Sequence, residues 1–290
     1  MSLLIASFKE TNQIAKNVAK KLKAQHEEIQ VKQFPDGESC IRIEQNPQNK
    51  NFLIIQSFAK ESNKKIIETI LAAETAREHR AKKIILVATY LPYMRQDKQF
   101  NSYESVSAKT IVKLLSNYFD KIIAIDPHLH RIHSLKEISK NAKEITANNL
   151  ISEYIKNNFS SDFQIVGPDK ESFQWAKTIA KLSGKEAIIL SKKRLSSTNV
   201  KIESTNLDKN LIIIDDIIST GNTILETIKI AKKQGAKKII VIGVHALLLG
   251  NTASLITKHA ELITTNTVPN KFAKIDVSSL IASAIKQFYG

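Results

Sequence analysis

The chain has 290 residues and 42% apolar content, enough for about two domains of ~150 residues that each bury a core, which excludes disorder as its main state. Its 43 Lys+Arg against 28 Asp+Glu give a net charge of +15, but the lysine pairs (Lys20-Lys21, Lys64-Lys65, Lys82-Lys83, Lys232-Lys233, Lys237-Lys238) are scattered over helix ends and strand starts. With no basic tail and no aromatic-rich RNA-binding signature, that pattern fits a solvated surface and a small anionic substrate, and it argues against nucleic acid as a partner. Apolar stretches such as Ile239 to Gly250 fall well short of the ~20 residues of a membrane span, so no membrane association is expected.

The first ten residues lack the pattern of a signal peptide. The single cysteine, Cys40, can form neither an internal disulfide nor a thiolate metal site, which points to a reducing cytoplasm. Cys40 itself reads as a small buried hydrophobe in a hairpin strand.

Along the chain, β-branched runs alternate with segments whose apolar residues recur three and four apart, the mark of an α/β fold with mainly parallel sheets flanked by helices. Strands are expected near Leu3 to Ala6, Phe52 to Ile55, Ile84 to Val87 and Ile122 to Ile125, with helices after Thr11, from Ser62 to Arg80 and from Val106 to Asn117. The second half repeats the scheme with strands near Gln164 to Val166, Ala187 to Leu190, Leu211 to Ile214 and Lys238 to Gly243, and helices after Glu171, Thr220 and Asn251. A last amphipathic helix runs from Val277 to the neighbourhood of Phe288. The string Ala81-Lys82-Lys83-Ile84-Ile85-Leu86-Val87 is echoed by Ala236-Lys237-Lys238-Ile239-Ile240-Val241-Ile242, each time where a helix feeds a strand, as two duplicated domains would show. Lys, Asn and Ser thicken between Ile138 and Asn149, giving domains of 1–143 and 144–290.

The most specific string is Leu211-Ile212-Ile213-Ile214-Asp215-Asp216-Ile217-Ile218-Ser219-Thr220-Gly221-Asn222-Thr223: a buried strand, an acidic pair, a small polar turn and a helix start. Backbone N–H groups at such a turn face an anion at the positive end of the helix dipole. The carboxylates ahead of it are acceptor groups suited to vicinal sugar hydroxyls. A sugar phosphate fits both ends.

Three further strings carry chemistry. Phe34-Pro35-Asp36-Gly37-Glu38 is a turn between two strands. Tyr90-Leu91-Pro92-Tyr93-Met94-Arg95-Gln96-Asp97-Lys98 follows a strand and mixes ring faces with cations, as a purine and polyphosphate pocket requires. Asp126-Pro127-His128-Leu129-His130-Arg131-Ile132-His133 ends another strand, at the sheet edge where open α/β sheets bind ligands. No thiolates and no second histidine cluster complete a zinc tetrahedron around it.

Together these strings resemble the ribose-phosphate diphosphokinase family, the phosphoribosyl-diphosphate (PRPP) synthetases, over nearly the whole chain and in the family's order, with a length and a Lys192-Lys193-Arg194-Leu195-Ser196 string closer to the shorter archaeal-type members. The resemblance implies two tandem phosphoribosyltransferase-like domains, of which only the second keeps the PRPP loop; the first-half counterpart, Ile54-Ile55-Gln56-Ser57-Phe58, lacks the acidic pair. It implies an enzyme that transfers the β,γ-diphosphoryl group of ATP to the C1 hydroxyl of ribose 5-phosphate, leaving AMP.

By the same resemblance, Phe34, Asp36, Gly37, Glu38, Arg95, Gln96 and Asp97 serve ATP, while Asp215, Asp216, Ser219, Thr220, Gly221, Asn222, Thr223 and Arg194 serve ribose 5-phosphate. His128 and Asp169 are implied as ligands, direct or through water, of Mg²⁺ carried by ATP, and Lys192 and Arg194 as catalytic cations on a lid from Ser191 to about Asn199. A one-residue slip would substitute Lys193 for Lys192. The family's Phe34-type hairpin reaches into a neighbouring subunit, which implies a homo-oligomer. A catalytically silent PRPP synthetase-like regulator is the alternative reading.

Overall fold

The computed structural model describes residues 2–189, 192–194, 200–202 and 208–289, and for 192–194 and 200–202 the backbone alone. The chain divides into two compact units, Met1–Thr146 with Thr267–Pro269 and Asp276–Gly290, and Ala147–Asn266 with Asn270–Ile275.

In the first unit the elements are β1 (Leu3–Ser7), α1 (Asn12–Leu22), β2 (Gln25–Glu28), β3 (Gln30–Gln33), β4 (Ser39–Arg42), β5 (Asn51–Ser57), α2 (Ser62–Glu78), β6 (Lys83–Tyr90), α3 (Ser107–Ser116), β7 (Lys121–Ile125) and β8 (Ala142–Ile145). Six strands form one sheet in the order β2-β1-β5-β6-β7-β8, every pair parallel. The central strands are apolar runs because helices cover both faces: β5 is buried along its whole length. Each fully buried Leu or Ile there contributes ~1.5–3 kcal/mol relative to exposure.

The second unit contains α4 (Asn148–Asn158), β9 (Phe163–Gly167), α5 (Phe173–Ser183), β10 (Ala187–Ile189), β11 (Lys192–Arg194), β12 (Val200–Ile202), β13 (Asn210–Ile218), α6 (Asn222–Lys233), β14 (Lys238–Ala246), α7 (Thr252–Thr257), β15 (Glu261–Thr265) and β16 (Ala273–Ile275). Its sheet has the order β10-β9-β13-β14-β15-β16, again all parallel. Strand for strand this is the topology of the first unit. The echo of Ala81 to Val87 at Ala236 to Ile242 therefore lies on β6 and β14, the fourth strand of each sheet.

The duplication extends to two antiparallel ribbons. β3 pairs with β4 after the second strand of the first unit, and β11 pairs with β12 at the same point of the second. The register gives residue equivalences as well. Asn51 of β5 lies opposite Lys83, and Asn210 of β13 lies opposite Lys238, so Gln56 and Ser57 stand where the second unit has Asp215 and Asp216.

The final helix, α8 (Ser278–Tyr289), departs from the expected 144–290 domain. It belongs to the first unit, where its buried residues Ile281, Ala282 and Ile285 face α1 across the apolar stripe Ile14, Ala15, Val18 and Ala19. Elements absent from the sequence reading are β2, β8, α4, β11, β12, β15 and β16. β2 reads Gln-His-Glu-Glu, with no apolar run to signal a strand, and pairs in parallel with β1 at the sheet edge. Cys40 is exposed, contrary to expectation, because β4 alternates: Ser39 and Ile41 turn inward while Cys40 and Arg42 face out. Among the described residues no helix is long and apolar enough to cross a membrane.

Candidate active site

In the second unit, β13 carries Asp215 and Asp216 and ends at the buried Ile218, ahead of a tight turn over Ser219 and Thr220 and then α6. Gly221 caps the helix at φ +73°, a left-handed conformation glycine adopts without cost. A β-carbon there would also stand 2.5 Å from Thr252 Cγ2, so glycine is required twice over. Thr252 fixes the turn from below, its Oγ1 donating to Thr220 O at 2.9 Å and to Leu249 O at 2.6 Å. Leu249 N donates to Ser219 O at 3.1 Å. No side chain caps α6, while Thr220, Asn222 and Thr223 are exposed. The first turn of a 12-residue helix thus faces outward from the C-terminal edge of a parallel sheet, the arrangement that binds phosphate.

Beside this turn the structure gathers carboxyls. Asp215 and Asp216 are buried, at 9% and 3% exposure. Burial, together with the charges of Asp216 and Asp169, pushes the Asp215 carboxyl well above its ordinary range. Asp169 lies in the turn after β9, where its Oδ1 accepts from Ser172 N at 2.8 Å and from Ser172 Oγ at 2.9 Å, closing the start of α5. Three carboxyls at one sheet edge form a set of hard oxygen donors, the chemistry a magnesium ion and sugar hydroxyls select.

Of the lid, the backbone of Lys192–Arg194 forms β11 and pairs with β12, where the sequence signalled no regular element. The side chains of Lys192, Lys193 and Arg194 lie outside the described residues, as do Ser191 and 195–199.

In the first unit the Phe34 turn closes the β3–β4 ribbon. Phe34 N donates to Glu38 O at 2.8 Å, Gly37 N to Phe34 O at 2.9 Å, and Glu38 N to Asp36 Oδ1 at 3.1 Å, with Gly37 at φ +95°. Phe34, Asp36, Gly37 and Glu38 are all exposed, and Phe34 keeps 42% of its surface in solvent with Lys32 Nζ 5.8 Å from its ring. The ribbon is anchored at its base: Ser39 Oγ donates to the buried Glu68 of α2 at 2.8 Å, and Lys64 Nζ donates to Gln33 Oε1 at 3.2 Å.

Two more loops leave the C-terminal edge of the first unit's own sheet. After β6, Tyr93 turns the chain at φ +67° and bonds Asn63 through its hydroxyl, leaving Arg95 and Gln96 exposed. Asp97 differs from them: it is 7% exposed, and Arg131 Nη1 donates to its Oδ1 at 2.9 Å and its Oδ2 at 3.2 Å. After β7, Asp126 bends the backbone at φ +36°, and His128 and His130 face each other with Nε2 atoms 2.8 Å apart, one ring donating to the other.

Sequence reasoning missed Thr252, Glu68, His130 and Arg131. His128 and His130 lie in the loop after β7, and their closeness in the sequence was legible although their ring-to-ring contact was not. Thr252 and Glu68 act on distant turns, and only the tertiary fold reveals them.

Residues 3–118 match the model for the N-terminal domain of ribose phosphate pyrophosphokinase, and residues 134–277 match the phosphoribosyl transferase domain. A ribose-phosphate pyrophosphokinase of Sulfurisphaera tokodaii is 33% identical over 98% of this chain and 100% of its own. The chain belongs to the ribose-phosphate pyrophosphokinase family. Another member, from Pyrococcus furiosus, is 33% identical over 89% of this chain and 92% of its own, which supports the likeness to archaeal-type members. The two-domain fold is that of the crystal structure of phosphoribosylpyrophosphate synthetase from Mycobacterium smegmatis, with a TM-score of 0.89 over 100% of this chain and 99% of that one at 23% identity.

Proposed function

We propose that the protein transfers the β,γ-diphosphoryl group of ATP to the C1 hydroxyl of ribose 5-phosphate, forming PRPP and AMP. The observation that carries this reading is the run from Asp215 to Thr223: two buried carboxyls, a glycine-capped turn and an uncapped helix start on one strand end. The phosphate of ribose 5-phosphate binds the first turn of α6 through the region of Ser219 to Thr223, and Asp215 and Asp216 take the ring hydroxyls. In the reaction a bond forms between the C1 oxygen and the β-phosphorus, the bond from that phosphorus to the α,β-bridging oxygen breaks, and the electron pair leaves on AMP. The hydroxyl proton is released.

Catalysis in such a transfer is positioning and charge stabilisation. Arg95 and Gln96 hold the nucleotide, with Phe34, Asp36, Gly37 and Glu38 contributed by the exposed hairpin, across a subunit interface of a homo-oligomer. Lys192 and Arg194 close over the transferring group. Magnesium, when bound with ATP through Asp169 and His128, supplies charge neutralisation of the phosphate oxygens. The His128 ring suits a water-mediated role, since a hard cation prefers oxygen.

The test is Asp215→Asn. It is expected to raise the KM for ribose 5-phosphate by at least ~10-fold with little change in the KM for ATP; the reverse pattern would overturn the division of roles. A catalytically silent regulator has no observation in its favour, since Asp169, Asp215, Asp216, His128, Lys192 and Arg194 are all present.

A further inference from the structure

Arg131 has no part in the reaction as described, yet its side chain joins two loops that do. Asp97 is the single inward residue of the run Arg95 to Gln99; its neighbours Arg95, Gln96, Lys98 and Gln99 are exposed. Both of its carboxylate oxygens are engaged by Arg131, at 2.9 and 3.2 Å from Nη1, and Oδ2 also accepts from Arg131 N at 3.3 Å. The guanidinium carbon lies 5.9 Å from the centre of the exposed Phe100 ring, which Lys98 Nζ approaches at 5.2 Å, so the pair is shielded on one side by an aromatic face.

The loops themselves are internally braced. Gln96 N donates to Tyr93 O at 3.0 Å, Ala108 N to Gln96 O at 3.2 Å, and Glu104 Oε2 accepts from Phe100 N and Asn101 N at 2.9 Å. Asp97 and Arg131 then clip one braced loop to the segment that carries His128.

We propose that Asp97 acts on the reaction through Arg131, as a clip holding the Arg95-Gln96 loop and the His128 loop in one arrangement, and that it does not touch the nucleotide. One guanidinium nitrogen shared between both oxygens of a buried carboxylate, with the Arg131 backbone N–H on the same carboxylate, ties the two backbones together through charge-assisted hydrogen bonds. Asp97 and Arg131 are therefore positioning residues. The proposal rests on the ATP-binding reading of these loops, and one arm of its test does not depend on that reading.

The experiment compares Asp97→Asn, Arg131→Ala and the double variant in the full chain. Each single change is expected to lower kcat/KM for Mg-ATP by about 10-fold through misplacement of the loops. The KM for ribose 5-phosphate should stay within about 2-fold, a split that general loosening of the fold would not give, and the double variant should fall no further than the worse single within about 2-fold. Losses that multiply in the double variant would show Asp97 contacting the nucleotide itself, and an Arg131→Ala enzyme equal to wild type would also overturn the clip. Independently of activity, backbone hydrogen exchange over residues 126–133 should accelerate in both single variants; unchanged exchange overturns the proposal. A wild-type protein that released no AMP would refute the assigned reaction, while the exchange arm would still decide on the clip.

Discussion

The space beside Gly221 is filled by Thr252, whose Cγ2 would lie 2.5 Å from any β-carbon added there. The same threonine holds the turn through Oγ1, so one side chain both supports the 219–221 turn and excludes larger residues from it. Gly221→Ala should cost about 1–3 kcal/mol of stability through its left-handed backbone and the clash, and should raise the KM for ribose 5-phosphate more than that for ATP. Adding Thr252→Ser removes the methyl and keeps the hydroxyl, and should recover part of the loss. Steady-state kinetics with urea unfolding checks both; an alanine enzyme with unchanged sugar affinity contradicts the account of this turn.

The Phe34 ribbon depends on Glu68 of α2. This carboxyl is buried and accepts from Ser39 Oγ at 2.8 Å with Lys64 Nζ 3.9 Å away. Glu68→Ala leaves the Ser39 hydroxyl and the Lys64 ammonium without it, and should cost about 1–3 kcal/mol. Hydrogen exchange of the β3 and β4 amides should accelerate, and the KM for ATP should rise. Protection equal to wild type in the ribbon would show that β4 is held by Ile41 packing instead.

Glu27 gives a pH dependence with a definite sign. Its Oε2 accepts from Glu44 N at 2.9 Å and Gln45 N at 3.0 Å, its Oε1 is buried without a partner, and burial raises its pKa above the ordinary 4.5. The folded state therefore holds the proton more tightly than the unfolded chain. The stabilisation is fully present below 4.5 and is lost as pH rises through the raised folded value. Glu27→Gln should remove this dependence, so the urea midpoints of the two proteins should converge toward low pH and separate above it in favour of the variant. Parallel profiles across that window would remove Glu27 as their source.

Lys192→Ala should lower turnover by about 10²–10³-fold, the scale of removing one donor from a transition-state charge, and leave ATP affinity intact. Lys193→Ala, the one-residue alternative, should be far milder. Normal turnover in the Lys192 variant refutes its place on the lid.

Much of this was legible because apolar runs fed directly into polar turns. The strands from Leu3, Phe52, Ile84, Ile122, Leu211 and Lys238 lie within a few residues of their expected positions, since a buried parallel strand must be continuously apolar. The Asp215 to Thr223 run was legible because strand, acid pair and helix start are contiguous. α4 was hidden by its flanking asparagines, which read as a boundary although Ile151 and Ile155 are four apart and buried. The Asp97 partner and the Gln56 to Asp215 equivalence depend on loops and registers that meet only after folding. Helix α8 joins the first unit because its apolar face matches α1, a complementarity that sequence order does not encode.

The measurement that bears most directly on the central claim is AMP release by the purified protein with ATP and magnesium, run with and without ribose 5-phosphate. AMP is expected only when the sugar phosphate is present, matched mole for mole by PRPP. Demonstrable ATP binding without sugar-dependent AMP would contradict that claim and assign the protein to a regulatory, non-catalytic role.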